Sequence, residues 1–263
     1  MTTNEKLMPK KQFYAALTAA RTQRHSGAHP FSEAWARGEL TREQLGFWAI
    51  QHHYYIELIP QQFAHLYCKL PDLDARQHML ENLLGEEVPD QPGKRHPDLM
   101  LKFARACGVS NNRARAAEFN GEILPTTRAM RAWIYELIAF RELTEAAAGI
   151  MVALEGQTPT LFPKYVKACQ KLGMSQDDLE FFTVHIENDT AHEGDGLEIT
   201  SRYAITPALQ RKAIAAVAPG VPASVPDRIY REGILATGLT EQYTNKTFYS
   251  VGLLMNPTDA EPL

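Results

Sequence analysis

Apolar residues recur at intervals of three and four along most of the chain, which is the spacing of a buried helix face. The stretch from Thr126 to Glu155 shows this best, because alanine, leucine and isoleucine hold that spacing throughout it. No run of alternating apolar and polar residues is long enough to indicate a strand. The pattern predicts an all-α protein in which residues 1–263 form a single domain, a bundle of about seven to nine helices.

Capping residues and prolines predict the ends of these helices. Thr41 opens a capping box, and its helix should run toward Ile59, where Pro60 breaks it. Asp72 should cap a helix that ends near Glu87. The remaining predicted helices are 96–107, a short one from Ser110, 126–155, 159–173, one capped by Ser175 and Asp178, 207–217 and 226–254.

Composition excludes several classes of protein. Hydrophobic residues make up 44% of the 263, which is typical of a folded globular chain, and the net charge is −4. No basic block with interleaved aromatics occurs, so we expect no nucleic-acid binding. The most apolar segment, 133–154, carries charged residues and predicts a core helix rather than a membrane span. The N-terminal residues lack the apolar core of a secretory signal, so we expect a cytoplasmic protein.

Three cysteines, Cys68, Cys107 and Cys169, are widely spaced and form no CxxC pair. This spacing is typical of reduced thiols in a cytosolic protein, where cysteine behaves as a small apolar residue. We therefore expect all three to be buried.

The segment His185-Ile-Glu-Asn-Asp189-Thr-Ala-His192 carries the strongest chemical signal. Offsets of 0, 4 and 7 place two imidazoles and a carboxylate on one face of a helix. Such a donor set suits iron, manganese or zinc. Gly194 and Gly196 follow at once, and each costs about 1 kcal/mol of helix stability relative to alanine. We expect a soft helix end here that a bound metal would order.

Three ligands on one helix do not complete a site, so further donors should come from other helices. Glu86 and Glu87 end one predicted helix, and His96 begins the next after a proline- and glycine-containing turn. Glu155 ends an apolar helix, where a carboxylate must be paired or bind a cation. The histidine and tyrosine cluster at residues 52–55, together with Glu57, offers candidate substrate contacts. Of these we select His53, Tyr54 and Glu57, the last as a partner for a substrate ammonium.

These motifs resemble those of the heme-oxygenase-like diiron oxidases and oxygenases, a group that includes the CADD-type proteins and shares the TenA/PqqC-type fold. Four segments, spread over most of the chain, carry the resemblance: Gly38-Glu-Leu-Thr41 followed by His53-Tyr-Tyr; Asn82 to Glu87 and on to His96; Ala146 to Gly156; and Phe181 to His192. The last segment closely matches the family's HxxxDxxH element.

The resemblance implies six metal ligands for two iron ions: Glu86, His96, Glu155, His185, Asp189 and His192. It also implies dioxygen as co-substrate, with manganese as a substitute metal, and an oxidation of a small amine, amino acid or fatty acid. The expected reactions are N-oxygenation, desaturation or oxidative carbon–carbon cleavage, in a biosynthetic pathway. We further expect an external electron donor and a homodimer.

Two departures from the family pattern matter. The gap from Glu86 to His96 is longer than usual, which leaves Glu87 as an alternative ligand, although the family's acid is the first of the pair. Ser32 occupies the position of a tyrosine that takes part in the chemistry of CADD-type members. This difference argues against the same self-modifying reaction here.

Three other functions remain as alternatives. A cofactor-free oxidase of the PQQ-synthase type would have no need for Asp189 and His192 on one face with Glu155. A thiaminase-type enzyme needs a nucleophilic cysteine, and the expected position reads Val-Ala-Leu-Glu155-Gly, so we reject it. A non-catalytic interaction protein would use an exposed apolar face, for which the predicted helix 226–254 is a candidate, although core packing suits that helix better.

Overall fold

The computed structural model describes residues 6–23 and 25–217, with the side chains of residues 23, 187–193 and 195 left out of that description. Within these ranges the chain forms helices and turns and no strand. The α-helices are α1 Lys10–Gln23, α2 Pro30–Arg37, α3 Arg42–Ile56, α4 Ile59–Lys69, α5 Leu73–Glu87, α6 His96–Ala106, α7 Asn111–Ala116, α8 Pro125–Phe140, α9 Leu143–Ala147, α10 Thr158–Lys171, α11 Glu180–Tyr203 and α12 Pro207–Val217. A π-helix, Ala148–Leu154, and the 3-10 turns Ser26–Ala28 and Glu155–Gln157 complete the list.

The all-α prediction is confirmed, but the described ranges already hold twelve α-helices rather than seven to nine. The excess arises partly because the predicted helix 126–155 is split. Arg141 is extended, and Glu142 and Glu145 form a capping box that starts α9 afresh. No proline or glycine lies at this break, so the usual helix-breaking residues do not mark it in the sequence. The predicted helix 226–254 lies outside the described residues, so the single domain over 1–263 stays a prediction.

Most predicted helix ends are confirmed. Thr41 caps α3 through a complete capping box, Asp72 accepts a hydrogen bond from the Ala75 amide at the start of α5, and Ser110 caps α7. One cap is corrected: Ser175 and Asp178 exchange hydrogen bonds within a turn, and α11 begins later, at Glu180. The expectation for the cysteines is partly wrong, since Cys107 and Cys169 are buried but Cys68 is exposed.

An aromatic cluster forms the centre of the bundle. The Trp35 ring stacks on Tyr165 with centroids 3.9 Å apart, and its indole N–H donates to the Cys169 sulfur at 3.3 Å. Trp48 lies edge-on to Trp35 at 4.8 Å and stacks on His52 at 4.3 Å. These contacts link α2, α3 and α10, and they extend the core up to the polar residues described below. In the described ranges no helix has the length and apolarity of a membrane span.

The π-helix packs directly against α11, and Gly196 permits the close approach. A Cβ atom at residue 196 would lie 2.8 Å from the Met151 Cβ and 3.1 Å from its carbonyl carbon and oxygen. Gly196 is buried, whereas Gly194 is exposed, and a Cβ atom at residue 194 would lie in open space. The expectation that both glycines merely soften the helix is therefore corrected for Gly196, which is required for packing.

This contact predicts opposite effects for two neighbouring substitutions. Gly196→Ala should lower the free energy of unfolding by about 1–3 kcal/mol, because the backbone of Met151 cannot move aside. Gly194→Ala should raise it by up to about 1 kcal/mol, because alanine favours the helix at an exposed position. Urea unfolding of the two variants measures both values. Equal effects for the two positions would contradict the assigned contact.

Candidate metal centre

Three side chains from three helices converge at one point inside the bundle. Glu86 lies in the last turn of α5, His96 is the first residue of α6, and His185 lies in the second turn of α11. One donor atom from each falls within 4.8 Å of the others. The Glu86 Oε2 is 2.9 Å from the His96 Nδ1, and the rings of His96 and His185 are 4.2 Å apart.

The end of α5 decides which of the two adjacent glutamates faces this cluster. Glu86 points inward, with a side chain 13% exposed, while Glu87 forms an ion pair with Arg95 at 2.6 Å. Val88 then ends the helix with φ +37°, a left-handed conformation that is costly for a β-branched residue. The chain thereby leaves the helix axis at once and returns to start α6 at His96.

The backbone of α11 fixes the orientation of the His185 ring. Its Nδ1 lies 2.6 Å from the Phe181 carbonyl oxygen. A carbonyl can only accept, so the proton resides on Nδ1. In the neutral ring Nε2 is then unprotonated, which is the state that binds a metal.

The cluster lies in the wall of a cavity whose empty volume is about 1220 Å³, including open space at its mouth. Aromatic and aliphatic side chains from α2, α3, α4, the π-helix, α10 and α11 form most of the wall. The apolar lining residues are Phe31, Trp48, Ile56, Ile59, Phe63, Ile150, Leu154, Leu161, Phe162, Tyr165 and Phe181. Polar side chains lie among them, including the three residues of the cluster.

Glu155 faces the same cavity from the 3-10 turn between the π-helix and α10. Pro159, in the first turn of α10, accounts for this interruption of the regular helix. Pro159 has no N–H to offer the carbonyl of residue 155, so the regular helix cannot continue through this point. The Thr158 hydroxyl donates to that carbonyl instead, at 2.9 Å. Glu155 lies outside the group of donor atoms within 4.8 Å formed by Glu86, His96 and His185. It thus lines the same cavity from another wall.

Asp189 and His192 lie on α11, the helix that carries His185. Their side chains are outside the described part of the structure. Their role as ligands stays a prediction.

The structure does not bring His53, Tyr54 and Glu57 to this cavity. Glu57 is exposed, and the Tyr54 hydroxyl donates to Glu118 at 3.0 Å on another side of α3. His53 is buried, but it is absent from the cavity lining. The residues of this cluster that do line it are His52 and Tyr55. His52 and Tyr55 follow Trp48 by four and seven residues, so the three side chains share one face of α3. This helical spacing is the signal in the sequence that could have identified them.

His52 and Tyr55 are hydrogen-bonded to each other, with the Tyr55 oxygen 3.0 Å from the His52 Nδ1. Burial, and then the nearby His185 and His53, hold the pKa of His52 well below its usual value, so the ring is neutral. Burial and the Glu86 charge raise the pKa of Tyr55, so its hydroxyl keeps its proton. The pair therefore adds hydrogen bonds to the cavity without adding charge.

The donor set fits an iron ion. Imidazole and carboxylate are suitable ligands for ferrous iron. Ligands on opposite sides of one ion lie about 4 Å apart, since each bond is about 2.0–2.2 Å long. The donor atoms of Glu86, His96 and His185 all lie within 4.8 Å of one another, which is close to this separation.

Comparison with known proteins agrees with this chemistry. Residues 47–224 match the sequence model of a family described as iron-containing redox enzymes. The chain belongs to this family. It is 32% identical to a 4-aminobenzoate synthase of Nitrosomonas europaea over 73% of the chain and 80% of the relative. It is 27% identical to a pyrroloquinoline-quinone synthase of Acidiphilium cryptum over 80% and 84% of the two chains.

Solved structures show the fold. A domain of unknown function from Shewanella denitrificans with a heme oxygenase-like fold superposes with a TM-score of 0.64. The superposition covers 94% of this chain and all of that domain, at 16% identity. The predicted heme-oxygenase-like architecture is thereby confirmed, and the predicted family is confirmed by the sequence matches above.

The geometry at the end of α5 predicts different metal affinities for two glutamine variants. Glu86→Gln should weaken ferrous iron binding by at least about tenfold, because a charged donor leaves the cluster. Glu87→Gln should leave the affinity unchanged, since Glu87 faces Arg95. Anaerobic titration with iron counted by elemental analysis distinguishes them. A larger loss for Glu87→Gln would reverse the assignment.

The left-handed residue after α5 gives a stability prediction. Val88→Gly should raise the free energy of unfolding by about 1 kcal/mol, because glycine adopts a positive φ without the steric cost of a β-branched residue. Val109→Gly is the matched control, because Val109 is buried and has no positive φ. It should instead be destabilising. A loss of stability in Val88→Gly would show that the side-chain contacts of Val88 outweigh its backbone strain.

Proposed function

We propose that this protein is a dioxygen-dependent non-heme diiron oxidase or oxygenase acting on a small amine, amino acid or fatty acid. The observation that carries the proposal is the convergence of Glu86, His96 and His185 in the wall of an apolar cavity. Glu155 faces the same cavity from another side. Membership of a family of iron-containing redox enzymes supports the metal. The expected outcome is N-oxygenation, desaturation or oxidative carbon–carbon cleavage.

On this proposal six residues hold two iron ions: Glu86, His96, Glu155, His185, Asp189 and His192. Asp189 and His192 enter because they follow His185 by four and seven residues on α11. Iron bound there would supply the electron transfer to dioxygen that such an oxidation requires, with manganese as a substitute metal. An external electron donor, a homodimeric assembly, a cytoplasmic location and a role in biosynthesis belong to the same proposal.

On this proposal, the residues around His185 exclude water and orient its ring. Phe181 and Phe162 contact the His185 ring, with centroids 4.3 Å and 5.8 Å away, and exclude water from that side of the cluster. The Phe181 carbonyl holds the proton of His185 on Nδ1, so Nε2 faces the metal position as a donor. Tyr55 lines the cavity as a protonated hydroxyl that is hydrogen-bonded to His52.

Iron stoichiometry and oxygen consumption test the proposal. Anaerobic titration with Fe(II) should give two iron ions per chain. After the iron-loaded protein is mixed with oxygenated buffer, it should consume oxygen in the presence of a substrate from a panel of amines and carboxylic acids. His185→Ala should abolish both. His65→Ala, a control at an exposed histidine outside the cavity, should keep both.

Absence of stoichiometric iron in the unmodified protein, with no effect of His192→Ala, would defeat the diiron proposal. A cofactor-free oxidase would then be the better description. Iron binding without oxygen consumption across the panel would defeat the oxidase assignment.

A further inference from the structure

A second cavity lies between α3, α4 and α8, and we call it the α8 groove. Its empty volume is about 770 Å³, including open space at its mouth. Among the described residues, none lines both this groove and the metal cavity. Tyr54 and Gln62 line the groove. Their chain neighbours Tyr55 and Phe63 line the metal cavity instead. The α8 groove is therefore a separate site that the proposed function does not use.

Two arginines give the α8 groove a positive charge. Arg128 and Arg131 are three residues apart on α8, so their side chains lie on one face of that helix. Both guanidinium groups lie near the ring of Tyr54, with their central carbons 6.0 Å and 4.2 Å from its centroid. The groove lining contains no aspartate or glutamate within the part of the chain that the structure describes.

Only one of these two charges is balanced by a neighbouring carboxylate. Arg128 forms an ion pair with Glu118 at 2.8 Å. The described contacts of Arg131 are a hydrogen bond to the Tyr54 carbonyl oxygen at 3.2 Å and the face of the Tyr54 ring. Neither contact carries a full negative charge. Arg131 is thus left to bind an anionic group, and its planar guanidinium matches the two oxygens of a carboxylate or phosphate.

The amide of Gln62 is a second polar group that the protein does not hold in place through its oxygen. Gln62 is only 5% exposed, and its buried Oε1 has no hydrogen-bond partner among the described residues. Rotation about the last side-chain bond exchanges this oxygen with the NH₂ group. The amide can therefore direct an N–H donor at a ligand in the groove without giving up a protein hydrogen bond at Oε1.

We propose that the α8 groove is a second small-molecule site, which binds one carboxylate or phosphate group through Arg131. Gln62 supplies a neutral hydrogen-bond donor to the same group. The rest of the ligand is apolar or aromatic and lies against Leu58, Ala132 and Tyr135, which also line the groove. The ligand is thus a small carboxylic acid or phosphate monoester. The proposal uses none of the metal ligands and goes beyond the proposed function.

Three probes that share a phenyl ring test this assignment. Phenylacetate and phenyl phosphate carry the two anionic groups, and 2-phenylethanol is the neutral control. Binding is measured by calorimetry on metal-free protein, in which the carboxylates of Glu86 and Glu155 disfavour an anion in the other cavity. At least one anionic probe should bind at least about tenfold more tightly than 2-phenylethanol, because its charge pairs with the guanidinium.

Variants locate the binding site. Arg131→Gln should weaken the anionic probe by at least about tenfold and leave 2-phenylethanol unchanged, because only the charged group pairs with Arg131. Gln62→Leu should weaken the anionic probe by about threefold to tenfold, the effect of losing one hydrogen bond. Arg105→Gln is the matched control, an exposed arginine outside both cavities, and it should leave every affinity unchanged. If Arg131→Gln does not fold, Gln62→Leu and the three probes decide.

Equal affinities for all three probes, no binding of either anionic probe, or an unchanged affinity in folded Arg131→Gln would overturn the proposal. Tighter binding of phenylacetate assigns a carboxylic acid to the groove, and tighter binding of phenyl phosphate assigns a phosphate monoester. Either result supports the anion site. Because every measurement is made without metal, the outcome is independent of the iron titration.

Discussion

A carboxylate enclosed by apolar side chains is the constraint on which the site depends. Glu86 is held beside His96 at 2.9 Å in the wall of a cavity built mostly from aromatic and aliphatic residues. An isolated charge in such surroundings is costly, so it must be paired or must bind a cation. The His96 imidazole lies within hydrogen-bonding distance of Glu86, and a bound cation would balance its charge. Carboxylate and imidazole are also suitable ligands for iron.

The rest of the architecture brings separate chain segments to this point. The left-handed Val88 turns the chain so that α5 and α6 present Glu86 and His96 together. Pro159 ends the preceding helical segment, and Glu155 faces the cavity from that break. Gly196 lets α11 lie directly on the π-helix. Each of these features has a local cost: backbone strain at Val88, a lost hydrogen bond at Pro159 and a flexible backbone at Gly196. The packing around the cavity compensates for it.

The cavity also explains how one fold can carry different reactions within a family of related enzymes. Glu86, His96 and His185 come together in its wall, whereas other lining residues contribute shape and hydrogen bonding, such as Tyr165 with Ser32. Substitutions among the lining residues that do not touch the cluster would change the shape of the site while the fold is kept. Function therefore resides in the lining of the site rather than in the fold.

The sequence alone determined the helical class, most caps and the candidate ligands, because these depend on local chemistry and helical spacing: Asp72 and Thr41 cap the helices they precede. It also favoured Glu86 over Glu87, although only on a family pattern. Tertiary structure decided what depends on the direction in which a helix faces. It placed His52 and Tyr55 in the cavity instead of His53 and Tyr54, and it made Gly196 a packing contact. Neighbouring residues on a helix point about 100° apart, so the correct segment can be identified locally while the correct face is set by the elements packed around it.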